Sequence, residues 1–224
     1  MARRTKQDAL ATRHRLLDAA EQLFQAKGVS RTSLSDIATA AGTTRGAIYW
    51  HFKDKADLFN AMMDRVTLPL EESAKRVDDE AQDPLENIRA SMTSALQQVA
   101  SDPQVRRVFD VAMHKVEYVD DMLAVHQRHL SARDECFGHL SNGLGLAGRR
   151  REGSQVRNPD AAAWGLIAMV DGLIQNWLLN PEAFDLVSTG RDALEVYLHG
   201  LGLSESVPEA PEGNVIAFRT RSNQ

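Results

Sequence analysis

A chain of 224 residues is long enough to bury a core of its own, either as one large domain or as a small unit beside a medium one. Its single cysteine, Cys136, excludes an internal disulfide framework. The basic N-terminus is broken by Asp8, Arg13, Arg15 and Asp18 where a signal peptide needs apolar residues, so the expected location is cytoplasmic. Net charge is −5, which argues against a nucleic-acid partner for the whole chain. Residues 1–55, however, hold ten Lys and Arg against five Asp and Glu (+5), and the rest hold sixteen against twenty-six (−10). A polyanion partner is therefore expected for the N-terminal part alone.

The chain reads as all-α throughout, with about nine helices and no run of β-branched residues alternating with period two. Leu16, Ala19, Ala20, Leu23 and Phe24 form a first amphipathic stripe, stopped at Gly28. Ser33 and Asp36 make a capping box for "LSDIATAA", whose Leu34, Ile37, Ala38 and Ala41 share a face. Gly42 ends that helix, and Thr44 caps the next, "RGAIYWHF". A fourth helix starts near Lys55 and runs toward position 80, with a kink expected at Pro69. Pro84 and Pro103 suit the first turns of two further helices. A long helix follows over roughly 119–145. "GLGLAGRRREGSQVRNP" reads as a loop, a helix begins at Pro159 or Asp160 and ends before Pro181, and a last one covers about 184–203. The remainder, 205–224, has two prolines and little apolar content and is expected to be a mobile tail.

Two short helices across Gly42 make a helix-turn-helix over about 33–52. Ile48 and Phe52, four apart, seat the second helix on the first. That leaves Thr44, Arg45, Gly46, Tyr49, Trp50 and His51 on the other face. A helix of this size fits the DNA major groove. Arg45 can take a guanine or a phosphate, Gly46 allows close approach, and Tyr49 and His51 can donate to phosphate oxygens. Lys55 adds charge at the start of the fourth helix, while Thr32 and Ser33 offer hydroxyls and amides to the flanking strand. Phe52 and Ile48 are core residues on this reading, and Trp50 is divided between core and surface.

The stretch "TSLSDIATAAGTTRGAIYWHFKDKADLF" resembles the N-terminal domain of the TetR family of bacterial transcriptional repressors. "HKVEYVDDM" and "VDGLIQNWLL" are similar to the ligand-binding domain of its acriflavine-resistance branch. The resemblance implies a homodimer that regulates a multidrug efflux operon, with Thr44, Arg45, Gly46, Tyr49, Trp50, His51 and Lys55 at the family's DNA-contact positions. It also implies a drug pocket lined by Asp110, His114, Cys136, Ile167, Val170 and Asp171. Some relatives carry an asparagine where this chain has Asp110, and a second acid there favours cationic ligands if both are ionised.

"AAAWGLIAMVDGLIQNWLL" is apolar nearly all round and is expected to be buried on every side. A membrane span is disfavoured by the central Asp171, which costs about 2.5–3.5 kcal/mol on insertion scales. Ala161, Gly165, Ala168 and Gly172 fall on one strip of small side chains that suits a close helix contact across a dimer axis. Asp171 is either a structural ion pair, with Arg107 or Arg128, or the polar anchor of an apolar pocket.

"GLGLAG" satisfies a dinucleotide-phosphate pattern, but that pattern works only between a strand and a helix. His126 and His129, three apart, could share a helix face and bind a metal, but with no adjacent Cys and no H-E-x-x-H spacing they read as a solvated or pocket-edge pair. Cys136 lacks a base, so no cofactor, metal or enzyme activity is expected. The expectation is an all-α homodimeric repressor, with a DNA-binding unit at 10–70 and a ligand-binding and dimerisation unit at 71–204. It binds a palindromic double-stranded operator and is released by small hydrophobic or cationic compounds, with no membrane partner. A regulator of metabolic or lipid genes with the same architecture is the alternative, and a nucleotide-binding enzyme a distant one.

Overall fold

The computed structural model describes residues 6–79, 81–117 and 122–204, so the expected tail at 205–224 lies outside the described residues. Among those described, there are nine α-helices and no strand: α1 Lys6–Lys27, α2 Leu34–Ala40, α3 Arg45–His51, α4 Lys55–Ala74, α5 Pro84–Ser101, α6 Pro103–His114, α7 Leu123–Arg150, α8 Pro159–Leu179 and α9 Leu186–Gly200. The boundaries follow local chemistry. Gly28 takes a left-handed φ of 82°, and its amide donates to the Phe24 carbonyl at 2.8 Å, closing α1. Ser33 and Asp36 form both halves of the capping box, and Gly42 (φ 64°) turns the chain from α2 into α3. Asp54, Asp83, Asp102, Asn158 and Asp185 cap five later helices, with proline in the first turn of α5, α6 and α8.

The first helices converge on Phe24. Leu16, Leu17 and Ala20 of α1 meet Ile37 of α2, Ile48 of α3 and Leu58, Phe59 and Met62 of α4, all with no more than 1% exposure. The Phe24 and Phe59 rings lie 6.0 Å apart. Each large side chain buried this way stabilises the fold by about 1.5–3 kcal/mol, so the two seven-residue helices depend on α1 and α4 for their existence. The same apolar cluster continues through Ile88 and Leu96 of α5, Val108 of α6, Leu140 and Leu144 of α7, Leu166 of α8 and Leu194 of α9.

Two helices differ from the sequence expectation. Helix α4 passes through Pro69 but stops at Ala74, where a turn over 75–78 carries Val77 into the core. Helix α7 begins later than expected and runs on to Arg150, so "GLGLAGRR" is helix and the loop covers only 151–158. Its glycines serve close packing. A Cβ on Gly143 would sit 2.7 Å from Val77 Cγ1, and one on Gly148 would sit 3.1 Å from the Val156 side chain. The helical penalty of each glycine, about 1 kcal/mol, is offset by the approach it permits.

Candidate nucleic-acid interface and effector site

Helix α3 is anchored by one face and open on the other. Ile48 is fully buried and Phe52 is 2% exposed, while Tyr49 is 49% and Trp50 73% exposed. Trp50 therefore belongs wholly to the surface. Thr44 accepts the Ala47 amide at 3.2 Å and holds the N-terminus in place. The Arg45 guanidinium lies 5.9 Å from the centre of the Tyr49 ring, and the Trp50 and His51 rings meet edge-on at 4.6 Å. Gly46 has open space where a Cβ would be, its nearest neighbour being the Thr44 hydroxyl at 4.0 Å. Thr44, Gly46, Ala47, Trp50 and His51 border a concavity of about 680 Å³ whose far side is Lys6 and Ala9 of α1. Rings, a guanidinium and a hydroxyl thus line a rigid projecting surface, which is what a groove rich in phosphate and base edges requires.

The flanking residues are employed differently from expectation. Thr32 is 1% exposed, and its hydroxyl donates to the Gly28 carbonyl at 2.8 Å, so it braces the α1–α2 turn and offers no side chain to the surface. The ammonium of Lys55 reaches the carbonyls of Val29 at 3.0 Å and Thr32 at 3.4 Å, tying α4 to that same turn. Ser33 remains exposed, but its hydroxyl is held in the capping box, donating to Asp36 Oδ2 at 2.7 Å. Asp36 has its pKa lowered by the Ser33 side chain and backbone donors.

The six residues assigned to a pocket have different surroundings. Ile167 and Val170 are each 8% exposed within the α8 core. Asp110 accepts from Gln25 of α1 at 3.2 Å and lies 3.0 Å from His114 Nδ1, so it is a link between α6 and α1 and not a free second acid. His114 borders a separate polar groove with Lys27, Arg31 and Lys115. Cys136 is half-buried beside Glu71 and His139, and burial pushes its thiol up to about 11, leaving it neutral at pH 7.

Asp171 is exposed, which corrects the expectation of a buried carboxylate. Its pKa is nonetheless raised by desolvation, against the lowering effect of Arg133 and His129. Neither suggested partner meets it: Arg107 faces Glu21, and Arg128 bonds Asp64 at 3.0 Å and Glu71 at 2.8 Å.

A partly open, largely apolar cavity of about 50 Å³ does occur between α4, α6 and α7, lined by Phe59, Met63, Thr67, Ala112, Val125 and Ala132, with Glu71, Arg128 and His129 at its edge. Sequence reasoning missed it. The available signal was the apolar spacing of Phe59 and Met63 on one face of α4.

Helix α8 buries Ala162, Ala163, Leu166, Ile167, Val170, Ile174 and Trp177. It is not buried on every side, because Ala161, Trp164, Ala168, Asp171 and Gln175 form an exposed stripe at helical spacing. Gly172 borders open space. Gly165 is explained within the chain: its missing Cβ makes room for the Tyr197 ring of α9, whose hydroxyl donates to the Ala162 carbonyl at 2.7 Å. Trp164 stacks on Phe137 at 4.5 Å under the Arg133 guanidinium. The glycines of "GLGLAG" lie inside α7, where their amides belong to the helix ladder and cannot cradle a phosphate.

Comparison with known proteins agrees with this geometry. Residues 16–62 match the bacterial regulatory proteins of the tetR family, and residues 83–202 match the C-terminal region of MAATS-type transcriptional repressors. The HTH-type transcriptional regulator TtgR of Pseudomonas putida is 38% identical over 204 residues, covering 88% of this chain and 97% of that protein. The crystal structure of NalD, the secondary repressor of the MexAB-OprM multidrug efflux pump in Pseudomonas aeruginosa, aligns with a TM-score of 0.78 at 34% identity, covering 87% of this chain and 97% of NalD. A SmeT–triclosan complex aligns with a TM-score of 0.75 at 31% identity, covering 91% of this chain and all of that one. SmeT is the repressor of the Stenotrophomonas maltophilia multidrug efflux pump SmeDEF.

Proposed function

This chain belongs to the TetR family of bacterial regulatory proteins, and we propose that it is a cytoplasmic, homodimeric repressor of a multidrug efflux operon. In this reading residues 10–70 bind a palindromic operator and residues 71–204 bind effector and partner. The observation that carries it is the α3 face. Arg45, Tyr49 and Trp50 project from a helix locked in place by Ile48 and Phe52, so the surface is ordered before any partner arrives.

Two copies of that face must stand about 34–36 Å apart to read successive major grooves. The α8 stripe of Ala161, Ala168 and Gly172, flanked by Leu179 (69% exposed) and by Val196 of α9 (54%), is the surface that joins them. Gly165 supports it only indirectly, by seating α9. Thr44, Arg45, Gly46, Tyr49, Trp50, His51 and Ser33 meet DNA, and Lys55 and Thr32 hold the turn that presents them.

Release follows from volume. Ligand pockets run to about 300–1,000 Å³, and the cavity between α4, α6 and α7 is about 50 Å³. A drug-sized compound therefore enters only if those helices separate. Helix α4 is both a cavity wall and the element that starts at Lys55, under the reading head. A compound that prefers the opened arrangement lowers operator affinity by that preference, typically about 1–3 kcal/mol. The carboxylates of Glu71 at the edge and of exposed Asp171 offer partners for cationic groups, and the SmeT complex with triclosan is a precedent for a small compound held in this fold.

The test is binding of the purified protein to DNA from upstream of its own coding region, by gel shift at 50 and 200 mM salt. The expected result is a shift that weakens steeply as salt rises. No shift at 50 mM overturns the reading.

A further inference from the structure

Glu21 of α1 is a carboxylate whose side chain is only 3% exposed, at the point where α1, α4 and α6 meet. Its Oε1 accepts from Gln104 Nε2 of α6 at 2.8 Å and from Arg65 Nη1 of α4 at 3.3 Å. Its Oε2 faces Arg107 Nε of α6 at 3.7 Å. That distance is too long for a hydrogen bond, and Arg107 Nε is buried with no other partner. A buried donor left unsatisfied is costly, and closing the gap to an ordinary charge-assisted length takes a shift of only about 1 Å. Burial raises the pKa of Glu21, against the effects of Gln104, Arg65 and Arg107.

The helices that hold this carboxylate are also walls of the small cavity. Phe59 and Met63 of α4 precede Arg65, and Ala112 of α6 follows Arg107 by about a turn and a half. Separating α4 from α6 must therefore stretch one side of the Glu21 contact. Helix α1 supplies Leu16, Leu17, Ala20 and Phe24 to the core under α3, so the helix that Glu21 follows sets how the reading face is aimed.

We propose that Glu21 is a positioning residue with two donor arrangements, one held by Arg65 of α4 as here, the other by Arg107 of α6, and that exchange between them turns cavity opening into movement of α1. This rests on the repressor reading for its consequence at DNA, though not for the exchange itself. Arg65→Gln removes the donor of the first arrangement and Arg107→Gln that of the second. A merely structural contact would weaken alike with either change.

The experiment uses the full-length protein and both variants, with two readouts. In the free protein, the Arg107 Nε–H resonance in a ¹H–¹⁵N spectrum is expected to move downfield in Arg65→Gln as that donor engages Glu21. In operator binding, the two variants are expected to move affinity in opposite directions, each by about fivefold or more, the lower end of allosteric coupling. An unmoved resonance overturns the exchange even if the protein binds no DNA. Affinities that stay put, or fall together in proportion to lost thermal stability, overturn it also. If Arg65→Gln does not fold, Arg65→Lys keeps the charge without the planar fork and carries the same two predictions at smaller size.

Discussion

Helices α3 and α8 each leave one face open, and the two faces differ in length and in the side chains at their centre. The α3 face sets Arg45, Tyr49, Trp50 and a cap hydroxyl on seven residues anchored by Ile48 and Phe52. The α8 face sets Ala161, Ala168 and Gly172, bordered by Trp164, Asp171 and Gln175, along twenty-one residues anchored by Leu166, Ile167, Val170 and Ile174. A surface with many donors and rings but little area selects a polar, grooved partner, whereas a long face with small side chains along its centre lets another helix approach closely. An open face thus does not by itself mean a binding site for a foreign molecule: the composition of the face says which kind of partner completes it.

On that contrast, putting charge on the α8 face has the larger consequence. Ala168→Glu is expected to yield protomers in sedimentation at working concentration. Losing the second reading head should then lower operator affinity by about 100-fold or more. A stable dimer would remove the α8 face from the interface. On α3, Arg45→Ala is expected to weaken operator binding by about 1–3 kcal/mol without changing the dimer, measured by anisotropy, and an unchanged affinity would remove Arg45 from the contact. Ser33→Ala takes the capping hydroxyl from α2 and should lower folding stability by about 1 kcal/mol in urea. Thr44→Ala should cost less, because it loses a single 3.2 Å bond. The smallest effect belongs to Asp171. Its raised pKa means that acidification neutralises it sooner than an ordinary aspartate, so affinity for a cationic dye should fall as pH is lowered through that raised value. In Asp171→Asn that dependence should vanish, and its persistence would assign the effect to another group.

The reading head was legible because its logic is local. Caps at Ser33 and Thr44, turns at Gly28 and Gly42 and the Ile48/Phe52 pair each act over about four residues of chain, and such signals survive in a bare sequence. The exceptions there are Thr32 and Lys55, whose hydroxyl and ammonium turn inward onto carbonyls of the α1–α2 turn. Nothing in their own spacing announces that the turn needs bracing. The sensor half was less legible because its features are set by helices far apart in sequence. Asp110 pairs with Gln25 across 85 positions, and Gly143 reads as the start of a loop because Val77, its packing partner, is 66 positions away. The α8 pattern located an apolar helix but not which sides its neighbours leave open.

The most direct test of the α3 claim is operator anisotropy on the protein's own upstream DNA, wild type beside Arg45→Ala, across 50 to 200 mM salt. Tight binding at low salt, a steep decline with salt and a weaker Arg45→Ala curve are the predicted outcome. Absence of binding at 50 mM, or two superimposable curves, would contradict the assignment of α3 as the DNA-reading surface.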